Sequence, residues 1–147
     1  MKGPDSFNGR AIATNQVLLA SSAQTATGTG SPVVLLEGLG SLVLQLDVTA
    51  AATDVGDTLD AYVQTTIDGV NWIDVYHFTQ VLGNGGAKRY FGKLIADVAL
   101  TEFENGASLG AAAGRAILGD QYRVRWAIVD AGTANASFTF SVTANGT

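Results

Sequence analysis

The chain has 147 residues, of which 14% are charged, and it carries a net charge of −5 without a single cysteine. This length suits one domain, in which roughly 70% of the surface of the extended chain can be buried. The missing thiols exclude disulfides and sulfur-ligated metal centres, and the acidic balance disfavours nucleic acid as a partner. No run approaches the roughly 20 apolar residues of a membrane span, and the N-terminus lacks the apolar core of a signal peptide. We therefore expect a protein that is made in a cytoplasm and does not bind a membrane.

The first third of the chain is weakly patterned. Residues 1–16 are polar and include Pro4, which is typical of an arm that lies outside a core. Val17–Ala20 is a short apolar run, and the small and polar residues of 21–32 predict a flexible connection. Val33–Leu36 then predicts a brief strand.

The middle third has clear strand periodicity. Leu42–Ala50 alternates leucine and valine with polar residues, which predicts a strand with one buried face. Leu59–Thr66 and Trp72–Thr79 are two further predicted strands, joined at Asp68-Gly69 by a tight hairpin turn. In the second of these, strict alternation predicts that one face carries Trp72, Asp74, Tyr76 and Phe78 and that the other carries Ile73, Val75, His77 and Thr79.

The last third begins with a predicted strand at Lys88–Leu94. Residues 95–120 follow, with too many glycines for a helix and too little alternation for a strand, so we interpret them as a long loop. Long loops in compact domains are often functional, which makes this one a candidate contact element. Two strands, Tyr122–Ile128 and Phe138–Val142, end the chain.

Many short strands separated by glycine and asparagine, without a convincing helix, predict an all-β fold. We expect a two-sheet antiparallel β-sandwich with a jelly-roll-like topology, and an immunoglobulin-like topology is the alternative. In domain terms, residues 1–16 form an arm, and residues 17–147 form a single sandwich domain.

The sequence offers little catalytic chemistry. His77 is the only histidine, and no serine or threonine lies in a nucleophile-elbow context. Asp54, Asp57 and Asp60 could collect a calcium ion, but their spacing lacks the alternating ligands of a calcium loop, so a solvated acidic loop is the favoured interpretation. We predict no enzyme activity, no catalytic or metal-binding residues and no cofactor.

Aromatic and basic residues each leave two interpretations open. Trp72, Tyr76, Tyr90 and Trp126 could form a sugar-binding platform, but their alternating positions favour core packing. Six of the eight basic residues lie in the second half of the chain. They either form ion pairs within one sandwich, which we favour, or bind acidic patches of neighbouring subunits.

Several fragments in order resemble a pattern found in small structural proteins of tailed bacteriophages. They cover about half of the chain. The central fragments are Leu46-Asp47-Val48-Thr49-Ala50-Ala51, Leu59-Asp60, Ile67-Asp68-Gly69 with Trp72 and Asp74, and Phe78-Thr79-Gln80. The terminal fragments are Arg123-Val124-Arg125-Trp126 and Ser137-Phe138-Thr139-Phe140-Ser141-Val142.

This resemblance implies a virion component, foremost a decoration or cement protein on the outer capsid surface. Its partners would be the major capsid protein and further copies of itself, with a trimer as the expected oligomer. The arm and the long loop are the expected contact elements, and the interface residues predicted from them are Phe7, Arg10, Ile12, Leu109, Arg115 and Ile117. A carbohydrate-binding module on a phage tail or a bacterial surface is the alternative function.

Overall fold

The computed structural model describes residues 14–35, 40–96, 99–100 and 102–146, and this part of the chain is built from strands without a helix. The strands are β1 (Thr14–Gln24), β2 (Gly28–Thr29), β3 (Val33–Val34), β4 (Ser41–Ala50), β5 (Thr58–Thr66), β6 (Trp72–His77), β7 (Val81–Leu82), β8 (Lys88–Ile95), β9 (Ala113–Gly114), β10 (Gln121–Val129) and β11 (Phe138–Gly146).

The strands form two antiparallel sheets, which confirms the predicted sandwich. The smaller sheet has the order β1-β11-β4-β8, and the larger has the order β2-β10-β5-β6-β9, with β3 also on β10 and β7 on β5. In this arrangement β1 pairs with β11, β2 and β3 pair with β10, β4 pairs with β8, and β5 pairs with β6. These are the pairs of one long hairpin that is rolled into two layers. This is a jelly roll. The immunoglobulin-like alternative does not fit, because it would place the first two strands side by side in one sheet.

The core lies between the two sheets and follows the predicted alternation. On β4 the side chains of Leu42, Leu44, Leu46 and Val48 are completely buried. Trp126 of β10 reaches across to Phe140 of β11, with the ring centroids 5.8 Å apart and nearly perpendicular. Its indole Nε1 donates a hydrogen bond to the carbonyl of Ala26 at 2.8 Å, so its polar atom is also satisfied. Trp126 is therefore a core residue rather than an exposed platform.

The start of the domain differs from the prediction. β1 extends from Thr14 to Gln24, so residues 14–16 belong to the sandwich and residues 21–24 are not a flexible connection. Its pairing with β11 is interrupted by two register shifts, which explains why the sequence does not alternate. Gly28 lies under Trp126, where a Cβ atom would come within 2.8 Å of the indole ring. Only a glycine fits this close approach.

The predicted hairpin at Asp68-Gly69 is confirmed, with β5 and β6 antiparallel on either side. Gly69 has a φ of 79°, which a glycine adopts without strain. The Oδ1 atom of Asp68 accepts hydrogen bonds from the backbone N–H groups of Val70 and Asn71, both at 2.8 Å. These hydrogen bonds, that of Asn71 foremost, hold the pKa of the Asp68 carboxyl well below its usual range. The turn is thus fixed by the side chain that precedes the glycine.

The predicted faces of β6 are wrong beyond Asp74. A register shift lies between the pairs Val63–Tyr76 and Gln64–Asp74, so Val75 is an extra residue on β6. This bulge turns Tyr76 into the core, where its ring covers Gly92, while Asp74 stays on the outer face. One inserted residue therefore separates side chains that strict alternation had placed together.

Candidate functional site

The outer face of the larger sheet carries a cluster of charged and aromatic side chains. Two neighbouring strands supply most of them, because β5 and β10 bury alternate residues and turn the others outward. The register places Arg125 beside Tyr62 and Arg123 beside Gln64. We call this set the polar face: Asp60, Tyr62, Gln64, Trp72, Asp74, His77, Arg123 and Arg125.

One row of the polar face is a stack of three side chains. The guanidinium of Arg125 lies 3.8 Å from the ring centroid of Tyr62. The imidazole of His77 is stacked on Tyr62, with 4.0 Å between the ring centroids and 20° between the planes. Arg125 also forms an ion pair with Asp74 at 2.8 Å. Burial lowers the pKa of Arg125, but the hydrogen bond and charge of Asp74 outweigh burial, so the pKa is raised and the cation is kept.

A second row joins Arg123 to the hairpin. The Nε atom of Arg123 donates to Gln64 Oε1 at 2.7 Å, and Gln64 Nε2 donates to Asp74 Oδ1 at 2.9 Å. The Arg123 guanidinium lies over the ring of Trp72 at 4.3 Å. Burial and the nearby Arg125 lower the pKa of Arg123. Both arginines thus lie on aromatic rings and bind side-chain oxygens, a combination that desolvates each partner.

His77 is held at both ring nitrogens. Its Nδ1 atom is 2.8 Å from the carbonyl oxygen of Leu109, and its Nε2 atom is 2.9 Å from Asp60 Oδ1. The other oxygen of that carboxylate, Oδ2, accepts a hydrogen bond from Gln80 at 2.8 Å. General-base catalysis needs one imidazole nitrogen directed at the reacting group. With both nitrogens engaged, this histidine joins a loop to the sheet.

The long loop packs against the polar face instead of projecting from the domain. We call its described residues 99–100 and 102–112 the excursion. It is followed by β9, which the sequence did not predict and which pairs with the edge of β6. Backbone hydrogen bonds from Ala112 to His77 and from Arg115 to Val75, both 2.7 Å long, fasten this end of the loop to the sheet.

Of the predicted interface residues, three lie in the described part of the chain. The Arg115 side chain donates to the carbonyls of Asp74, Ala107 and Ser108, and its guanidinium lies 4.1 Å from the centroid of the Phe103 ring. Leu109 supplies the carbonyl that His77 binds, and Ile117 packs against the core. All three hold the loop on its own domain. The other predicted interface residues, Phe7, Arg10 and Ile12, lie outside the described residues.

The three aspartates considered for calcium have separate structural roles. Asp57 is buried, and its Oδ1 atom accepts hydrogen bonds from the backbone N–H groups of Ala131 and Gly132 at 2.8 and 3.1 Å. Asp54 Oδ2 accepts a hydrogen bond from Ala134, whereas Asp60 belongs to the polar face. Across the described residues, no three His, Cys, Asp or Glu side chains are grouped to hold a metal ion. Asp54 and Asp57 tie the loop after β4 to the loop before β11.

The outer face of the smaller sheet is different, because it exposes large apolar side chains. The register places Val17, Thr143, Gln45 and Phe91 in one row across four strands. Val17 is 55% exposed and Phe91 is 65% exposed, and Val43 is exposed in the next row. Strands lie about 4.8 Å apart, so Val17 and Phe91 lie about 14 Å apart on the two edge strands, with the polar Thr143 and Gln45 between them. Sequence alternation alone could have placed Val43 and Phe91 outward, but not Val17, because β1 contains two bulges.

Comparisons with protein-family models, with curated proteins and with solved structures found no match. Within the described residues, no helix is long and apolar enough to cross a membrane. The fold class is therefore established by the strand order alone, and the function has to be argued from the surfaces of the domain.

Proposed function

We propose that this protein is a non-enzymatic structural component of a tailed-phage virion. In this role it decorates the outer surface of the capsid and stabilises the shell by binding the major capsid protein. It is made in the host cytoplasm and acts as an oligomer, with a trimer as the expected state. The proposal rests on the resemblance of the sequence to small virion proteins and on the surfaces of the domain.

The observation that carries the proposal is the exposed apolar face of the smaller sheet. Val17, Val43 and Phe91 are exposed on this one face, at 55%, 40% and 65%. Exposed apolar surface of this kind marks contact sites between proteins. A protein that stabilises a shell needs such surfaces and a rigid fold, because binding is strongest when little has to be ordered on assembly.

The first described strand belongs to the sheet that carries this face. β1 begins at Thr14 and forms one edge of the smaller sheet, and Val17 is exposed just beyond this start. The described chain therefore begins on the sheet that carries this face. In the proposed role, the arm and this face contact the capsid together.

The test is co-sedimentation with particles assembled from the major capsid protein of the same virion. We expect the intact protein to saturate the particles and a variant lacking residues 1–12 to bind weakly. A double variant, Val17→Asp with Val43→Asp, should also lose occupancy. The matched control is Val55→Asp, because Val55 is 79% exposed on a loop outside this face. Full occupancy by both the truncated and the double variant would show that the proposed attachment is wrong.

The alternative, a carbohydrate-binding module, draws on the aromatic residues of the polar face. Sugar rings stack on open aromatic faces, but Tyr62 has Arg125 on one side and His77 on the other. The Trp72 ring is likewise covered by Arg123. A glycan array separates the two functions, because the virion proposal expects no binding to the sugars. It also expects no sugar-dependent change in tryptophan fluorescence. A saturable change would favour the sugar-binding alternative.

A further inference from the structure

Charged side chains of the polar face bind one another within one copy, whereas most of the basic side chains of the edge strand β8 do not. Lys88 and Lys93 have no ionic partner among the described residues, and Arg89 meets Asp47 only at 3.3 Å while remaining exposed. Three of the six basic residues in the described chain thus lie on one strand, with Arg89 and Lys93 on its outer side and Lys88 at its first position on the other side. This cluster is a cationic strip on a domain whose net charge is negative.

The excursion carries the opposite charge. Glu102 and Glu104 are exposed, and neither side chain has a partner among the described residues. Apolar groups accompany both charged sets. Leu100, beside the glutamates, is 44% exposed, whereas Phe91 and Ile95, between and after the basic residues of β8, are 65% and 39% exposed. The two surfaces therefore match in charge and in apolar character.

Edge strands connect the two surfaces. β8 is an edge of the smaller sheet, and β9, which follows the excursion, is an edge of the larger sheet. The two edges face each other across a cavity of about 150 Å³ lined by residues such as Lys93, Ile95 and Arg115. Even so, the glutamates of the excursion and the lysines of β8 do not pair within one copy.

We propose that the cationic strand β8 of one copy binds the acidic excursion of a second copy, head to tail. Antiparallel pairing of two β8 strands centred on Phe91 would set Arg89 against Lys93, which disfavours this symmetric contact. The contact therefore joins two different surfaces, and such a contact closes into a ring when its rotation allows. Carboxylates and ammonium groups steer the approach, and the apolar side chains beside them become buried.

This inference rests on the proposed function, because it supplies the contact between subunits that a capsid-bound oligomer needs. It places that contact on β8, whereas the attachment to the shell is tested at Val17 and Val43 on β1 and β4; Phe91 of β8 belongs to both surfaces. β1, which continues the arm, is one edge of the smaller sheet, and β8 is the opposite edge. A subunit can thus hold the capsid through one edge and its neighbour through the other.

The test is sedimentation velocity on the purified full-length chain at about 50 mM and about 500 mM salt, a range over which exposed charge pairs become screened. We expect oligomers at low salt and weaker association at high salt. Lys88→Glu with Lys93→Glu should raise the dissociation constant at least about tenfold, and Glu102→Lys with Glu104→Lys should do the same. The quadruple variant, which exchanges both charges, should recover the oligomer to within about threefold. Asp130→Lys is the matched control, because this exposed acid lies away from both surfaces.

The outcomes separate this contact from the attachment to the capsid. A monomer at all salt concentrations would overturn the inference, as would an oligomer that ignores both reversals or a quadruple variant that does not recover. Capsid binding is measured in the separate co-sedimentation experiment, with the variant that lacks residues 1–12. It does not depend on the four residues exchanged in the quadruple variant. If particles bind the protein but the isolated chain stays monomeric, the contact proposed here fails while the proposed function stands.

Discussion

Replacing Trp126 by alanine tests the packing of the core most directly. A tryptophan side chain buries roughly 200 Å². At about 25 cal/mol per Å² this burial contributes about 5 kcal/mol. Residual compactness of the unfolded chain lowers the figure to about 3–4 kcal/mol. The lost hydrogen bond from Nε1 to Ala26 adds about 1 kcal/mol. We expect the free energy of unfolding to fall by about 4–5 kcal/mol, at the upper end of the usual range for such a substitution.

The measurement is equilibrium urea denaturation followed by circular dichroism, since the substitution removes one of the two tryptophans and alters fluorescence. Trp126→Phe is the informative companion, because it keeps an aromatic ring against Phe140 and removes the N–H donor. It should therefore lose less than Trp126→Ala. Trp72→Ala is the contrast on the outer face, where the ring is only half-buried. Equal losses for Trp126→Ala and Trp72→Ala, or a loss below about 1 kcal/mol for the former, would refute the assignment of Trp126 to the core.

Three further predictions follow from single positions. In Gly92→Ala the new Cβ would overlap the ring of Tyr76, so urea denaturation should show a loss of about 1–3 kcal/mol; an unchanged midpoint would contradict this packing. Burial raises the pKa of Tyr122 from 10.0 to about 12, so the fold favours the neutral phenol, and the resulting stability is complete below pH 10 and lost as the pH rises to 12. Tyr122→Phe should flatten this alkaline decline, and an identical pH profile would count against it. In His77→Ala the carbonyl of Leu109 loses its bond to the sheet, so hydrogen exchange should quicken in residues 102–112; unchanged protection there would argue against this role of the histidine.

The sequence predicted those parts of the fold in which local pattern and final environment agree. Leu42–Ala50 alternates regularly, and it became β4, a strand flanked on both sides with one buried face. The β5–β6 hairpin was equally predictable from the sequence, because Asp68 and Gly69 specify the turn by themselves. β1 was not predictable from the sequence, since its polar residues become a strand only through pairing with β11 at the far end of the chain. Long-range pairing can thus override a weak local pattern.

The polar face was predicted in its parts but not in its pairings. Alternation placed Arg123 and Arg125 on the outer side of β10, where they are found. That Arg125 lies on Tyr62 and binds Asp74 depends on the register of three strands and on the bulge at Val75. A one-residue shift would turn these side chains to the other face of the sheet. Sequence periodicity indicates which face a side chain takes but not which residue of the neighbouring strand lies opposite it, so neither the cluster nor its link to the excursion could be predicted.

The two outer faces of the sandwich differ in how many of their side chains already have partners within the domain. On the larger sheet, arginines, aromatic rings and carboxylates bind one another, and a new ligand would have to replace contacts such as the 2.8 Å ion pair between Arg125 and Asp74. On the smaller sheet, Val17, Val43 and Phe91 are exposed, and a partner that covers them breaks no bond in the domain. Binding free energy is what remains after such losses. For this reason the smaller sheet, and not the richer chemistry of the polar face, is where we expect another protein to bind.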